Sequence, residues 1–315
     1  FYLLISKIFI WLFGEKEIVY RLPSFLSGVL SIPLMYRLGL VMKFPWSSAL
    51  LSAILMALSW PHLKYSMEGR GYGITIFLVL LIIYSAIQFL NNSRWVWGIA
   101  LIGSGFAMTM ALPSNLFFLG GLAIFTIIVG CLELRENSLN FKKFFWLVIP
   151  QIIMFVLIAT YFLIIYEQLK YGKDIQPQSL DGARAKEIVE LLVAPWGFSI
   201  YLFFAIGVRK LRGIRERIIF ASIFLIPMSL TFVTGVVGYA RIYVYWIPFV
   251  LFLSAYGMTE VILWLKKHTG NFVYGIGVGA VFLLFFFPAK KINKYYEARD
   301  SGALVVAGPN ATLIE

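Results

Sequence analysis

Charge is scarce in this 315-residue chain, and so are cysteine and histidine. Charged residues make up 13% of it and hydrophobic ones 61%, whereas soluble domains carry about 25% and about 45–50%. That shortage excludes a water-soluble globular protein, because most of the surface must face a different solvent, and the bilayer is that solvent. The lone Cys131 lies in the apolar run "LAIFTIIVGCLEL", which excludes a disulfide framework or a cysteine metal site within one chain. His62 and His268 provide no metal-ligand spacing. Also missing are a GxxxxGK[ST] phosphate loop, HExxH, GxSxG and a GxGxxG following a strand, and with them the chemistries those motifs support. Acidic residues are few, 15 against 27 Lys plus Arg, for a net charge of +12. In a soluble domain that excess would raise the question of nucleic acid; in an apolar chain it reads as cytoplasmic loops, and no nucleic-acid partner is expected. No initiator Met and no basic start with a small-residue cleavage site accompany the opening "FYLLISKIFIWLF", so the true beginning is expected to be missing.

What is present is long apolar runs. A membrane-spanning helix needs about 20 such residues, or somewhat fewer with help from neighbours. Ten spans are expected, near 24–42, 47–63, 73–90, 95–112, 115–133, 144–166, 193–208, 218–238, 242–264 and 272–288. Residues 1–13 are apolar but short, the remnant of a span or a helix lying in the interface. The expected fold is an all-α polytopic bundle, with a transmembrane domain over 1–288 and a short extracytoplasmic tail over 289–315. Trp46, Trp60, Trp95, Trp97, Trp146, Trp196 and Trp264 fall near span ends, where an indole anchors at the membrane interface. Pro33, Pro150, Pro227 and Pro248 fall inside spans and are expected to mark kinks.

Orientation follows Lys and Arg in short loops. The dense run "RKLRGIRER", 209–217, is assigned to the cytoplasm together with Lys43, Arg94, Arg135, Lys142, Lys143, Lys266 and Lys267. The segments 14–22, 62–72, 167–192 and 239–241 then share the outer face. The longest of them, 167–192, carries Asp174 and Asp181. Its second half, with Ala185, Ile188, Leu191 and Leu192, has the spacing of a helix lying on the surface.

Three outer features could carry chemistry. "HLKYSMEGRGYG" joins two spans and holds Lys64, Glu68 and Arg70 between apolar flanks. Ionisable groups near the hydrocarbon pair or line a wet cavity, yet the same charges also serve simply to stop two helices. In "GEKEIVYRLPS", Pro23 sits where the first turn of a helix is expected, with Arg21 just outside it; as a plain reading, Lys16 and Arg21 are flanking charges. In "GYARIYVYWIPF", Arg241 has almost no polar padding and either snorkels or meets an anion inside the bundle. Arg21, Arg70 and Arg241 could fork onto phosphate oxygens, with Lys64 as an added point charge. Glu68 could accept a hydroxyl, hold a divalent cation or orient an arginine. Glu260, near a cytoplasmic span end, reads as a partner of Lys266 or water.

The run "EIVYRLPSFLSGVLSIPLMYRLG" and the later "LSWPHLKYSMEGRGYG" resemble the C-type-fold membrane glycosyltransferases, in the protein mannosyltransferase and aminoarabinose transferase-like group (families 39 and 83). Glu17, Arg21, Leu22, Pro23 and Ser24 match that group's E-x-x-x-R-L-P-S; Ser66, Glu68, Arg70 and Tyr72 match its S-x-E-x-R-x-Y. Arg241 before "YWIPF" is a weaker echo of a later R-Y-x-x-P-x-x-P-F stretch. The resemblance implies transfer of a sugar from a polyprenyl-phosphate donor to a lipid, glycan or protein acceptor outside the cytoplasm of a bacterial or archaeal plasma membrane. Arg21, Lys64, Arg70 and Arg241 would hold the donor phosphate, with Glu17, Glu68 and Tyr72 in orienting or metal-binding roles. The family's catalytic Asp would lie upstream of Phe1, and the family's Tyr-His is replaced here by "LPSNL", 112–116. Besides membrane lipids, donor and acceptor are the expected partners. The rivals are a flippase or transporter of lipid-linked glycans, a polysaccharide polymerase, or a membrane scaffold. A transporter should show paired repeats, and none is apparent.

Overall fold

A computed structural model describes residues 2–135, 141–166, 198–211, 213–234, 240–268 and 274–280, together with positions 186, 188, 189, 191, 192 and 283. The described residues are nearly all helical, with short turns between helices and no strand among them. In order they form α1 (Tyr2–Phe13), α2 (Glu17–Val41), α3 (Trp46–Leu58), α4 (Trp60–Met67), α5 (Gly71–Asn92) and α6 (Trp95–Ala111). A 3-10 turn, Pro113–Asn115, leads into α7 (Leu116–Arg135) and α8 (Phe141–Ile164); then come α9 (Phe198–Lys210), α10 (Ile214–Thr234), a 3-10 stretch Ala240–Trp246 and α11 (Ile247–His268).

Five segments among the described residues are long and apolar enough to cross a membrane: Glu17–Val41, Gly71–Asn92, Pro113–Arg135, Phe144–Ile164 and Arg241–His268. Tyr2–Phe13, Trp46–Leu58 and Trp95–Ala111 are shorter apolar helices. The span expected at 47–63 is two helices, broken at Ser59, whose extended backbone (φ −68°, ψ 116°) ends α3 and starts α4. Pro61 sits in the first turn of α4, where its missing N–H costs nothing. Pro248 lies inside the Arg241–His268 segment, in the first turn of α11. Pro33, Pro150 and Pro227 do fall within helices. Of the segment 167–192, only the helical positions 186, 188, 189, 191 and 192 are described; Asp174, Asp181, Trp196, most of 272–288 and the tail 289–315 lie outside the described residues.

Burial is inverted relative to a soluble protein. Leu3, Trp11, Ile18, Leu30, Ile99, Val156 and Leu163 are exposed, while Ser24, Ser31, Ser52, Thr75, Thr109 and Asn115 are buried. Small residues facing inward let helix backbones approach closely, the packing mode used where lipid replaces water. On α2, Gly28 lies against Ser66 and Gly39 against Ala49. On α5, a Cβ at Gly73 would stand 2.8 Å from the Tyr65 carbonyl oxygen. The buried Ile76, Val79, Leu80, Ile82 and Ile83 make α5 the central strut.

Successive crossings alternate in direction, with α3 and α4 together making one crossing. Residues 14–16, 68–70, 112–115 and 240–246 therefore gather at one end of the bundle, and 42–45, 93–94, 211 and 213 at the other. Two close approaches fix the scheme: Gly71 abuts the Ala111 carbonyl at the first end, and Lys43, Asn91 and Gly213 line one cavity at the second.

Candidate functional site

The elbow between α4 and α5 is the centre of the first end. Glu68 (φ −70°, ψ 132°) closes α4 and Arg70 (φ −140°, ψ 167°) opens α5, both extended, with Gly69 between them. The Arg70 N–H donates to the Glu68 carbonyl at 2.7 Å, so the chain reverses within three residues. That tight reversal leaves the Arg70 side chain exposed and Glu68 half-buried. Lys64, one turn earlier on α4, approaches Glu68 with Nζ to Oε1 at 3.9 Å and lies over the Tyr65 ring at 5.8 Å. Tyr72 is buried, its ring 5.1 Å from that of Tyr65.

The first turns of α2 clamp this elbow. The Ser24 hydroxyl donates to the Arg70 carbonyl at 2.6 Å. The Tyr20 ring covers Gly69 so closely that a Cβ there would collide with it unless the ring moved. The Tyr20 carbonyl in turn accepts from Tyr2 Oη at 2.5 Å and Ser6 Oγ at 3.3 Å, while the Tyr2 and Tyr20 rings meet edge to face at 5.4 Å. The two motifs singled out in the sequence are thus brought together, through Ser24 and Tyr20.

Arg21 lies one turn before Ser24 and forms an ion pair with Glu17. An exposed i,i+4 pair of this sort contributes about 0.3–0.5 kcal/mol, so its consequence is orientation of the guanidinium more than stability. The sequence reading placed Arg21 outside a helix beginning near Pro23. Instead α2 begins at Glu17 and Pro23 is inside it. A carboxylate in the first turn, favoured by the helix dipole, starts the helix earlier than proline alone suggests.

Arg241 stands at the same end, half-buried in the 3-10 stretch that packs against α5 and α11. The aromatic residues after it are buried: Tyr243 and Trp246 stack at 4.9 Å, and the Trp246 Nε1–H donates to the Ile223 carbonyl at 2.9 Å. Arg21, Lys64 and Arg70 stand on the adjoining ends of α2, α4 and α5, and Arg241 stands on the 3-10 stretch that packs against α5. His62 is a packing residue. It is buried, with Nε2 2.9 Å from Ser31 Oγ, and the Ser31 hydroxyl donates to the Gly28 carbonyl at 2.6 Å, which assigns the proton of the His–Ser bond to Nε2.

Asn115 was not singled out from the sequence. It is fully buried beneath the start of α5, donating from Nδ2 to the Met108 carbonyl at 2.9 Å and to Thr75 Oγ1 at 3.3 Å, while its Oδ1 finds no hydrogen-bond partner. The available signal was an amide in an otherwise apolar run, inside the "LPSNL" that replaces the family's Tyr-His. Among the described residues no three His, Cys, Asp or Glu side chains gather as a metal site.

Removing the clamp tests its role. Ser24→Ala is expected to lower stability by about 1 kcal/mol and to speed hydrogen–deuterium exchange of the 68–71 amides. Ser24→Thr should preserve the protection, and unchanged exchange in the alanine variant would refute the clamp.

The chain matches no protein-family model and no curated protein.

Proposed function

We propose that this chain is an integral membrane glycosyltransferase that moves a sugar from a polyprenyl-phosphate donor to a lipid, glycan or protein acceptor on the extracytoplasmic face. The observation that carries the reading is the junction at Ser24 and Tyr20, which joins the Glu17–Ser24 and Ser66–Tyr72 stretches into one corner bearing Arg21, Lys64 and Arg70.

The chemistry suits those side chains. A sugar linked to a prenyl phosphate is a phosphodiester with one negative charge. Breaking the bond between the anomeric carbon and the phosphate oxygen leaves a phosphomonoester carrying close to two. Guanidiniums aimed at the departing oxygens stabilise the charge as it develops, and a site beside the hydrocarbon strengthens that effect. Lys64 adds a point charge, while Glu68 holds Lys64 and lies near enough to the elbow to orient an acceptor hydroxyl. Tyr72 walls the corner from beneath.

The test is transfer from a panel of radiolabelled polyprenyl-phosphate sugars by the full-length protein in membranes, comparing wild type with Arg70→Ala and Glu68→Gln. Transfer by wild type and its loss in the arginine variant is expected. No transfer by wild type from any donor, or equal transfer by all three proteins, would reject the assignment.

A further inference from the structure

The opposite end of the bundle carries a second site, which shares no residue with the arginine corner. Two cavities, of about 380 and 410 Å³, adjoin there with Met42, Lys43, Gly213 and Glu216 lining both, and are called the two lobes of a cleft. The first lobe is lined by Lys43, Arg215 and Asn91 above an apolar floor of Leu90, Phe125 and Ile219. The second is lined by Glu216 and Glu260 beside Phe44 and Tyr256, whose rings meet edge to face at 4.8 Å.

The charges are arranged by sign. Arg215 is fixed by an ion pair with Glu133, a residue that is itself buried. Lys43 occupies the left-handed region (φ 61°), where a glycine would be at ease, and its residue lines both lobes. Glu216 stands between them, and its Oε2 is buried with no hydrogen-bond partner. That oxygen packs against Gly213, so a ligand in the cleft would meet this carboxylate at Oε1. With Lys43 and Arg215 set against Glu216 and Glu260 among the described lining residues, the cleft does not suit a polyanion such as a nucleotide. It suits a zwitterion whose phosphate and ammonium are a short link apart.

The cleft's position selects the source. It lies at the termini of α2, α5 and α10, beside the exposed Trp46, where the apolar helices end and a bilayer surface is met. Its apolar floor would accept the glycerol and first acyl carbons of a lipid, and basic pockets between helices at this level hold phospholipid heads. We propose that this cleft binds the phosphoethanolamine head of a membrane phospholipid, with its phosphate between Lys43 and Arg215 and its ammonium on Glu216 and Glu260.

Native mass spectrometry of the purified full chain in detergent, with equal amounts of phosphatidylethanolamine, phosphatidylcholine and phosphatidylglycerol, tests this. The ethanolamine lipid should be retained about tenfold over the other two, because a trimethylated ammonium has no N–H to donate and a glycerol head has no cation. Glu260→Gln should erase that preference and Lys43→Gln should weaken retention of all three phosphate-bearing lipids alike, while Lys43→Arg and the remote Arg70→Ala should leave both the retention and the preference in place. Equal retention of the three lipids by wild type, an undiminished preference in Glu260→Gln, or undiminished retention of all three lipids in Lys43→Gln, would overturn the proposal. Displacement of the bound lipid by an equal concentration of water-soluble glycerophosphoethanolamine would overturn the lipid assignment and make the ligand a soluble one.

Discussion

Arg70→Ala is expected to reduce sugar transfer by about 10²–10³-fold, the usual cost of removing one donor aimed at a developing oxyanion. The fall should appear in kcat and leave KM little changed, because the phosphate gains its second charge only as the glycosidic bond breaks. Arg70→Lys should recover part of the rate, since the charge remains while the two-pronged geometry is lost. Misfolding is a poor rival explanation for such a loss. The Arg70 side chain is exposed, and the bond that holds the elbow runs from Ser24 to the Arg70 backbone carbonyl, which alanine retains. Steady-state kinetics on the two variants, with circular dichroism to confirm folding, decides the matter: a raised KM at unchanged kcat would make Arg70 a docking residue without a share in bond breaking.

How much of this was readable beforehand depends on the range of the interaction involved. Helical class and membrane character follow from composition and run length, which are local and additive, and the same logic places the elbow at 68–70 between two apolar stretches. Local signals misplace boundaries where two rules compete. Pro23 argues for a helix start just before it, but the Glu17 carboxylate and its pairing with Arg21 draw the start of α2 back to Glu17. At Ser59 the apolar run continues unbroken in composition, while the backbone turns because Pro61 begins a new first turn. Neither outcome is visible from hydropathy.

The site divides in the same way. Arg21, Lys64, Glu68 and Arg70 stand out in sequence because charge is scarce near hydrocarbon. The residues that assemble them do not, since Ser24, Tyr20 and Tyr2 act through backbone carbonyls that no residue type advertises. Asn115 is the intermediate case, an amide conspicuous by polarity whose partners, Thr75 and Met108, lie on two other helices. The charged cleft at the opposite end was less legible still. Lys43, Arg215 and Glu260 had each been read as ordinary loop or span-end charges, and it takes the convergence of α2, α10 and α11 to set them around one volume.

The largest structural effect is expected at the seam between α9 and α11, which pack as parallel neighbours. A Cβ built on Gly257 falls on the Phe203 carbonyl oxygen, and one built on Gly207 falls on the Leu253 carbonyl oxygen. The obstacles are backbone atoms, so rotamer changes cannot relieve the overlap, and one helix must move away from the other. Separation would also break the bond from the Ser254 hydroxyl to the Ile200 carbonyl at 3.0 Å and that from Tyr256 Oη to the Lys210 carbonyl at 3.1 Å. Gly257→Ala is therefore expected to cost about 3 kcal/mol, the upper part of the range for overpacking a tight core. The companion Gly207→Ala should cost a similar amount, and the double variant less than the sum, because a helix pair displaced once has already made room. Gly103→Ala, on α6 with no heavy atom within 4 Å of the added carbon, provides the control and should be neutral or slightly stabilising. Thermal unfolding of the four proteins in one detergent measures all of this. If Gly257→Ala unfolds at the wild-type temperature, the α9–α11 contact is looser than backbone packing requires, and the wall that Tyr256 and Glu260 present to the charged cleft is less firmly fixed than the seam implies.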